Sequence, residues 1–305
     1  MPLGIFGFRA LWSPYFLTAI ILMTVLFFLL TTKWRKEFKN SEPLKRKEAI
    51  LFIIAMILLY VIKGSPVDLM AHILFSVHMI QMATLFFIFT PILIQAIPPW
   101  LWEHIIKLPV IKQMYQFFTK PIIAVVTFSV LFSFYHIPII FDTIKMNFLL
   151  HASYTFLLFI GSLFMWWPLI NKLPGQPQLH GLKKAGYLIL DAVLITPACA
   201  LIIFANNPVY GTYADASLWL QSMALCVPTS TLSGLTLSGP ELFTNMPVLE
   251  DQQLGGVLMK IIQEIVLIIV LFRVFSQWFR KEQEEGEKIT ETHAKLVSDN
   301  TNPTK

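Results

Sequence analysis

The sequence predicts an all-α, polytopic integral membrane protein of about seven transmembrane helices, and three observations carry that prediction. Of its 305 residues, 56% are hydrophobic and only 13% charged, whereas a soluble domain carries about 45–50% apolar and about 25% charged residues. So much apolar surface cannot be hidden in one core of this size and must face something other than water. The apolar residues also fall into seven windows near the length of roughly 20 residues that a helix needs to cross a bilayer. Finally, the basic residues sit in short clusters between those windows, with no Lys or Arg between Ala185 and Met259. No continuous basic face can form across such spans, which argues against a nucleic-acid partner.

The windows are residues 11–30, 49–64, 71–97, 121–140, 149–170, 185–205 and 255–275. Helices are the expected form because in lipid every backbone N–H and C=O must be bonded within its own segment. The N-terminus has no basic region and no small-residue cleavage site, so the first window is expected to act as its own insertion signal. The second window is short and needs flanking residues. The third is long and carries Pro91, which predicts a tilt or kink. Between the third and fourth windows, Trp100, Trp102 and Tyr115 predict an interfacial segment anchored by aromatic rings.

Residues 206–254 read as a long outer loop. Its apolar stretch from Leu218 to Leu237 holds Pro228 and many small polar residues, which suits a re-entrant or surface-lying piece rather than an eighth span. Residues 1–280 thus form the transmembrane domain. Residues 281–305 form a charged tail with too little apolar surface to fold alone, expected to be disordered.

Orientation follows from the excess of Lys and Arg in cytoplasmic loops. The stretches after spans one, three, five and seven hold 19 of the 23 basic residues, leaving Arg9, Lys63, Lys145 and Lys260 elsewhere. That places the N-terminus outside and the C-terminus in the cytoplasm.

Ionisable residues near or within spans are costly and mark candidate sites. This topology brings His72, His78, Met79 and Met82 to the outer part of span three, Tyr135 and His136 to the outer end of span four, and His151 and Tyr154 to the outer start of span five. Asp251, Gln252 and Gln253 precede span seven on the same side. His104, His180 and His293 fall on the other side. His78 and Met82 are four residues apart and share a helix face. His72 is about 120° round an ideal helix from His78, so it joins them only if the helix starts late or bends. Imidazole with thioether suits copper, with Met favouring the cuprous ion. The candidate metal donors are therefore His78, Met82, His136, His151 and His72, with Asp251, Tyr135 and Tyr154 as supporting groups. Taken one at a time, each residue is more often a packed or hydrogen-bonded core residue; it is their convergence that points to a site.

Other features are bland. Asp191 reads as a buried, paired or neutral acid, and Glu264 as the ion-pair partner of Lys260 one turn away. Cys199 and Cys226 form no CxxC motif. No phosphate-binding loop, dinucleotide fingerprint, HExxH or GxSxG motif occurs, and no haem attachment signature.

Several segments resemble one family. Phe75-Ser-Val-His78-Met-Ile-Gln81-Met82, followed by Pro91, resembles the third-span motif of the CtaG family of cytochrome c oxidase assembly factors. So does Leu249-Glu-Asp251-Gln252-Gln253-Leu-Gly255-Gly256, the most specific segment. Ile5-Phe-Gly-Phe-Arg9-Ala-Leu-Trp12-Ser-Pro14 is similar to the N-terminus of the Bacillus-type members, and Asn207-Pro208-Val-Tyr210 fits the region after span six. The resemblance implies a multi-pass protein of a Gram-positive plasma membrane. It implies a role in maturing a caa-type haem–copper oxidase by delivering copper to an oxidase subunit. By carry-over His78 is the family's third-span histidine, and His136, His151 and Asp251 match its other polar positions. Many members carry a second His where this chain has Met82, a departure that keeps a soft donor.

The expected function is therefore a non-enzymatic assembly factor holding copper near the outer face, with oxidase subunits as protein partners and lipid as its surroundings. A copper or small-solute transporter is one alternative, which needs polar groups continuing inward, with Asp191 the main candidate. A membrane-embedded metal-dependent hydrolase is the other; it needs carboxylates beside the imidazoles, and Asp251 is the main one.

Overall fold

The computed structural model describes residues 3–173, 176, 179, 181–232 and 239–301, and no strand occurs among them. Five helical stretches are long and apolar enough to cross a membrane, and the number rises to seven if each of two bent helix pairs is one span.

Helix α1 (Gly7–Trp12) turns into α2 (Pro14–Phe28) at Ser13, which sits at φ 36°. Pro14 opens α2 with its φ already set for a helix. Helix α3 (Arg46–Gly64) begins where Glu48 accepts the Lys45 N–H at 3.2 Å. It ends at Ser65, whose hydroxyl accepts the Val67 N–H at 3.2 Å and starts α4 (Pro66–Ile73). The two helices differ in direction by 44°. The short second window thus gains residues at both ends.

The third window breaks where the sequence reading has it continuous. Leu74 is extended (φ −120°, ψ 130°), so His72 belongs to α4, and the long helix α5 (Phe75–Ala96) starts after it. Pro91 lacks the N–H of a regular turn, and α5 widens into π-helical turns over Thr84–Phe89 just before it.

The expected interfacial segment is a pair, α6 (Pro99–Ile106) and α7 (Pro109–Phe118). Helix α7 exposes Val110, Ile111, Met114 and Phe117 while burying Tyr115, and it meets α8 (Pro121–Tyr135) at 94°. The two are long and apolar enough to cross a membrane only when taken together across that bend. Helix α8 stops at Tyr135, short of the predicted residue 140. Pro138 disfavours a helical conformation at Ile137 and opens a new helix, α9 (Pro138–Lys145). Helices α10 (Phe148–Ile170) and α11 (Leu182–Ile203) follow.

The stretch between α11 and the last helix, expected from the sequence to be an outer loop, carries short helices, α12 (Gly211–Ala214), α13 (Ala216–Met223) and α14 (Thr229–Leu232). Residues 233–238 of its apolar piece lie outside the described residues. Trp219, Met223, Val227 and Leu232 pack with Phe6, Ala10, Leu69 and Ile73 into a small second core. The last helix, α15 (Val248–Thr301), begins earlier than the predicted residue 255 and takes residues 248–254 out of the loop. It also continues through most of the tail, which the sequence reading leaves disordered. Glu284 and Lys288 stand one helical turn apart there, a spacing that supports a solvated helix.

Lipid gives helices no hydrophobic reason to associate, so packing and close backbone approach must hold them. Phe86, Phe87, Phe128 and Phe132 are fully buried at the centre, with Phe128 in edge-to-face contact with Phe86 and Phe87. Ile21, Leu22, Ile57, Ile122, Ile268 and Phe272 point outward, as lipid-facing side chains should.

Candidate functional site

The helices bring the predicted polar residues to one end of the bundle. Phe75 of α5 lies against Asp251 of α15, His78 lies near Tyr135 at the end of α8, and Tyr154 of α10 donates to the Leu131 carbonyl at 3.1 Å. His72, His78, His136, His151, Asp251, Tyr135 and Tyr154 therefore share one end.

Within it the imidazoles separate into two pairs. The rings of His72 and His151 stack at 5.7 Å. This meeting depends on the break at Leu74, which frees His72 from the register of α5. His78 and His136 instead flank Tyr135 and Phe141. Ring separations are 6.1 and 5.4 Å from His78 to these two, and 5.1 and 6.2 Å from His136.

The hydrogen bonds set the tautomers. His72 Nδ1 lies 2.9 Å from the Asp68 carbonyl and His136 Nδ1 lies 2.8 Å from the Phe132 carbonyl. A carbonyl only accepts, so both Nδ1 atoms carry hydrogen and both neutral rings keep the Nε2 lone pair. Among the described residues, Nε2 of His78, His136 and His151 has no hydrogen-bond partner, and neither has the buried Tyr135 hydroxyl. Met79 packs towards Gly255, and Met82 is fully buried in the main core. Among the described residues, no three His, Cys, Asp or Glu side chains gather closely enough to hold a metal ion. A two-imidazole arrangement is what the geometry offers.

Two lysines that the sequence reading counted only for topology, with Asp68 and Gln81 beside one of them, complete this end. Lys63 Nζ is 3.4 Å from Asp68 Oδ1 and 3.1 Å from Gln81 Oε1, while Gln81 Nε2 donates to Asp68 Oδ1 at 2.7 Å. Lys145, at the end of α9 between α8 and α10, is fully buried, and its ammonium lies 5.3 Å from the centre of the Tyr213 ring with no hydrogen-bond partner among the described residues. Burial, reinforced by Lys63, lowers the Lys145 amine from 10.5 to about 7. Cys226, in the connection between α11 and α15, is driven by burial up to about 12 and stays a thiol. The signal for both lysines was present in the sequence: they are basic residues on the side that topology keeps poor in them.

His72, His151, Lys63, Asp68 and Cys226 all line a cleft of about 710 Å³ that runs between α2, α3, α5 and α10. On the far side of the bundle, His104 bonds the Trp100 carbonyl through Nδ1 at 2.7 Å; His180 lies outside the described residues. Lys260 pairs with Glu264 at 2.7 Å, as their spacing predicts, and Asp191 is buried nearby.

The Asp251–Gly256 segment proves to be a clasp. Asp251 accepts the N–H groups of Phe75 at 2.7 Å and Ser76 at 3.3 Å, together with the Ser76 hydroxyl. Its recorded hydrogen bonds thus cap α5, where the sequence reading also allowed it to support a histidine. Gln252 accepts from Val209 N–H at 2.9 Å and donates to the Tyr210 carbonyl at 3.3 Å. Gln253 donates to the Ala205 carbonyl at 2.9 Å. A Cβ on Gly255 would stand 2.6 Å from the Phe75 ring, and one on Gly256 2.9 Å from Ile203. Tyr210 then donates to the His136 carbonyl at 2.9 Å, and Tyr213 to the Ala71 carbonyl at 2.6 Å. The loop is fastened to the backbone at both histidine pairs.

Comparison with curated proteins and with solved structures gave no match for this chain. A family model described as cytochrome c oxidase caa3 assembly factor matches residues 25–281, spanning every helix from within α2 through the apolar part of α15. With most of its length matched, and with the family-like segments found clasping the histidine end, the chain belongs to the family of cytochrome c oxidase caa3 assembly factors.

Proposed function

We propose that this chain matures its oxidase by holding cuprous copper at the histidine end of the bundle and handing it to an oxidase subunit. The observation that carries this reading is the contact of His72 and His151, two neutral imidazoles from different helices facing one cleft. Imidazole suits copper, and thiol or thioether neighbours favour the cuprous state; Cys226 lines the same cleft. His78 and His136 form a second imidazole pair at the same end of the bundle. The clustering of basic residues at the opposite loops supports an outer position for this end in a bacterial plasma membrane. That position suits receipt of metal from outside. Exchange between similar soft sites needs no energy source, which agrees with the missing nucleotide motifs.

The test is anaerobic loading of the full-length protein in detergent with cuprous ion. The expected result is saturable binding that weakens at least tenfold in both His72→Ala and His151→Ala. Copper binding unaltered in both variants would reject the site. A deletion strain should hold normal oxidase subunits that lack copper and activity, and a fully coppered oxidase there would reject the delivery role.

A further inference from the structure

The cleft reaches far beyond the histidines. From Lys63 it follows α3 down to Phe52, eleven residues or roughly 16 Å of helix. That is about half the ~30 Å hydrocarbon thickness of a bilayer. Its walls there are Phe52, Met56, Leu85, Phe89, Leu93 and Phe159. Its volume of about 710 Å³ lies within the range of about 300–1,000 Å³ usual for small-molecule sites. The cleft is thus one leaflet deep, apolar along its length, and polar only at the end where Lys63, Asp68, His72 and His151 meet.

Helix α10 supplies a second observation. A threonine in a membrane helix satisfies its hydroxyl by donating to the carbonyl one turn back. Thr18, Thr24, Thr31, Thr84 and Thr196 all do so here. Thr155 does not: its hydroxyl and His151 Nε2, one turn earlier on the same helix, are both buried and have no partner among the described residues, and both residues line the cleft. His151 is only 9% exposed. Two unpaired polar atoms beside an apolar channel are costly unless a ligand head group meets them.

We propose that the cleft binds one single-chain amphiphile from the adjoining leaflet, with an O–H-bearing head at His72, His151 and Thr155 and its tail along Phe52, Phe89 and Leu93. His72 Nε2 can only accept, because its Nδ1 hydrogen is committed to the Asp68 carbonyl. The head must therefore offer a hydroxyl or an undissociated acid, and Lys63 beside it favours a second oxygen. A partner helix fits less well, because it would need a groove across the whole bilayer and this one is about one leaflet deep. Fatty acids and prenyl alcohols share the required chemistry. The inference does not depend on copper.

Binding of radiolabelled dodecanoic acid, octadecanoic acid and farnesol to the full-length protein in detergent tests it. At least one probe should saturate at one per chain. Thr155→Val should weaken that binding three- to tenfold, and Ala152→Trp, which fills the head end of the cleft, at least tenfold. Leu93→Trp, at the far end, should weaken octadecanoic acid at least tenfold while dodecanoic acid binds within twofold of wild type. Cuprous binding by Leu93→Trp should match wild type, which separates failure of this site from failure of the copper reading. If Ala152→Trp does not fold, the chain-length split in Leu93→Trp decides alone. No saturable binding of any probe, or equal binding of every probe by wild type and Leu93→Trp, would overturn the proposal.

Discussion

Asp251, on the first turn of the last helix, accepts the backbone N–H of Phe75 at 2.7 Å and so caps a helix 176 residues away in sequence. The same carboxylate takes Ser76 through both its N–H and its hydroxyl. The start of α5, and with it the direction of His78, depends on a side chain from the far end of the chain. Losing a capping oxygen costs about 0.5–2 kcal/mol. Asp251→Ala should destabilise the protein by about that much, and Asp251→Asn, which keeps one acceptor, by less than half as much. Thermal unfolding in detergent measures both, and equal stability of wild type and Asp251→Ala would contradict the cap.

Gly255 faces the Phe75 ring with no room for a methyl group. Overpacking of this kind costs about 1–3 kcal/mol. Gly255→Ala should show a loss in that range, and the double variant Gly255→Ala with Phe75→Leu should recover part of it. A double variant no more stable than Gly255→Ala alone would mean that some other contact limits the approach of α5 and α15.

Tyr210 joins the loop to the second histidine pair by donating to the His136 carbonyl at 2.9 Å and by stacking on Phe75 at 4.7 Å. Tyr210→Phe keeps the ring and orphans the carbonyl, which should cost about 1–3 kcal/mol. Tyr210→Leu should cost more, because it also removes the stack. The order of the two variants in unfolding experiments is the check.

Lys145 gives the folded state a pH dependence. Its amine titrates near 10.5 when unfolded and at about 7 when buried. Between those values the unfolded chain holds a proton that the folded chain has lost, so stability rises with pH. Below about 7 both states are charged and the full cost of burying the ammonium is present. Stability should therefore climb from about pH 7 towards about pH 10, and this climb should flatten in Lys145→Met. An unchanged slope in that variant would show that another group is responsible.

The sequence by itself determined the membrane class, the approximate windows, and the set of histidines that share one end. Those features depend on composition, apolar length and charge placement, which act locally and leave their mark residue by residue. The family-like segments were legible too, but their work was only partly so: Asp251 read as a cap or as a partner for a histidine and proved to be the cap, while Gln252 and Gly255, legible only as parts of a family-like segment, proved to clasp helices and loop together. Tertiary structure alone decided that His72 pairs with His151 while His78 and His136 flank Tyr135. It also decided that Lys63, Asp68 and Gln81 form one node and that Thr155 has no partner among the described residues. The physical reason is a single extended residue. Leu74 interrupts the third apolar window without any Pro or Gly to announce it, because its cost is offset by a cap from Asp251 that no local pattern contains.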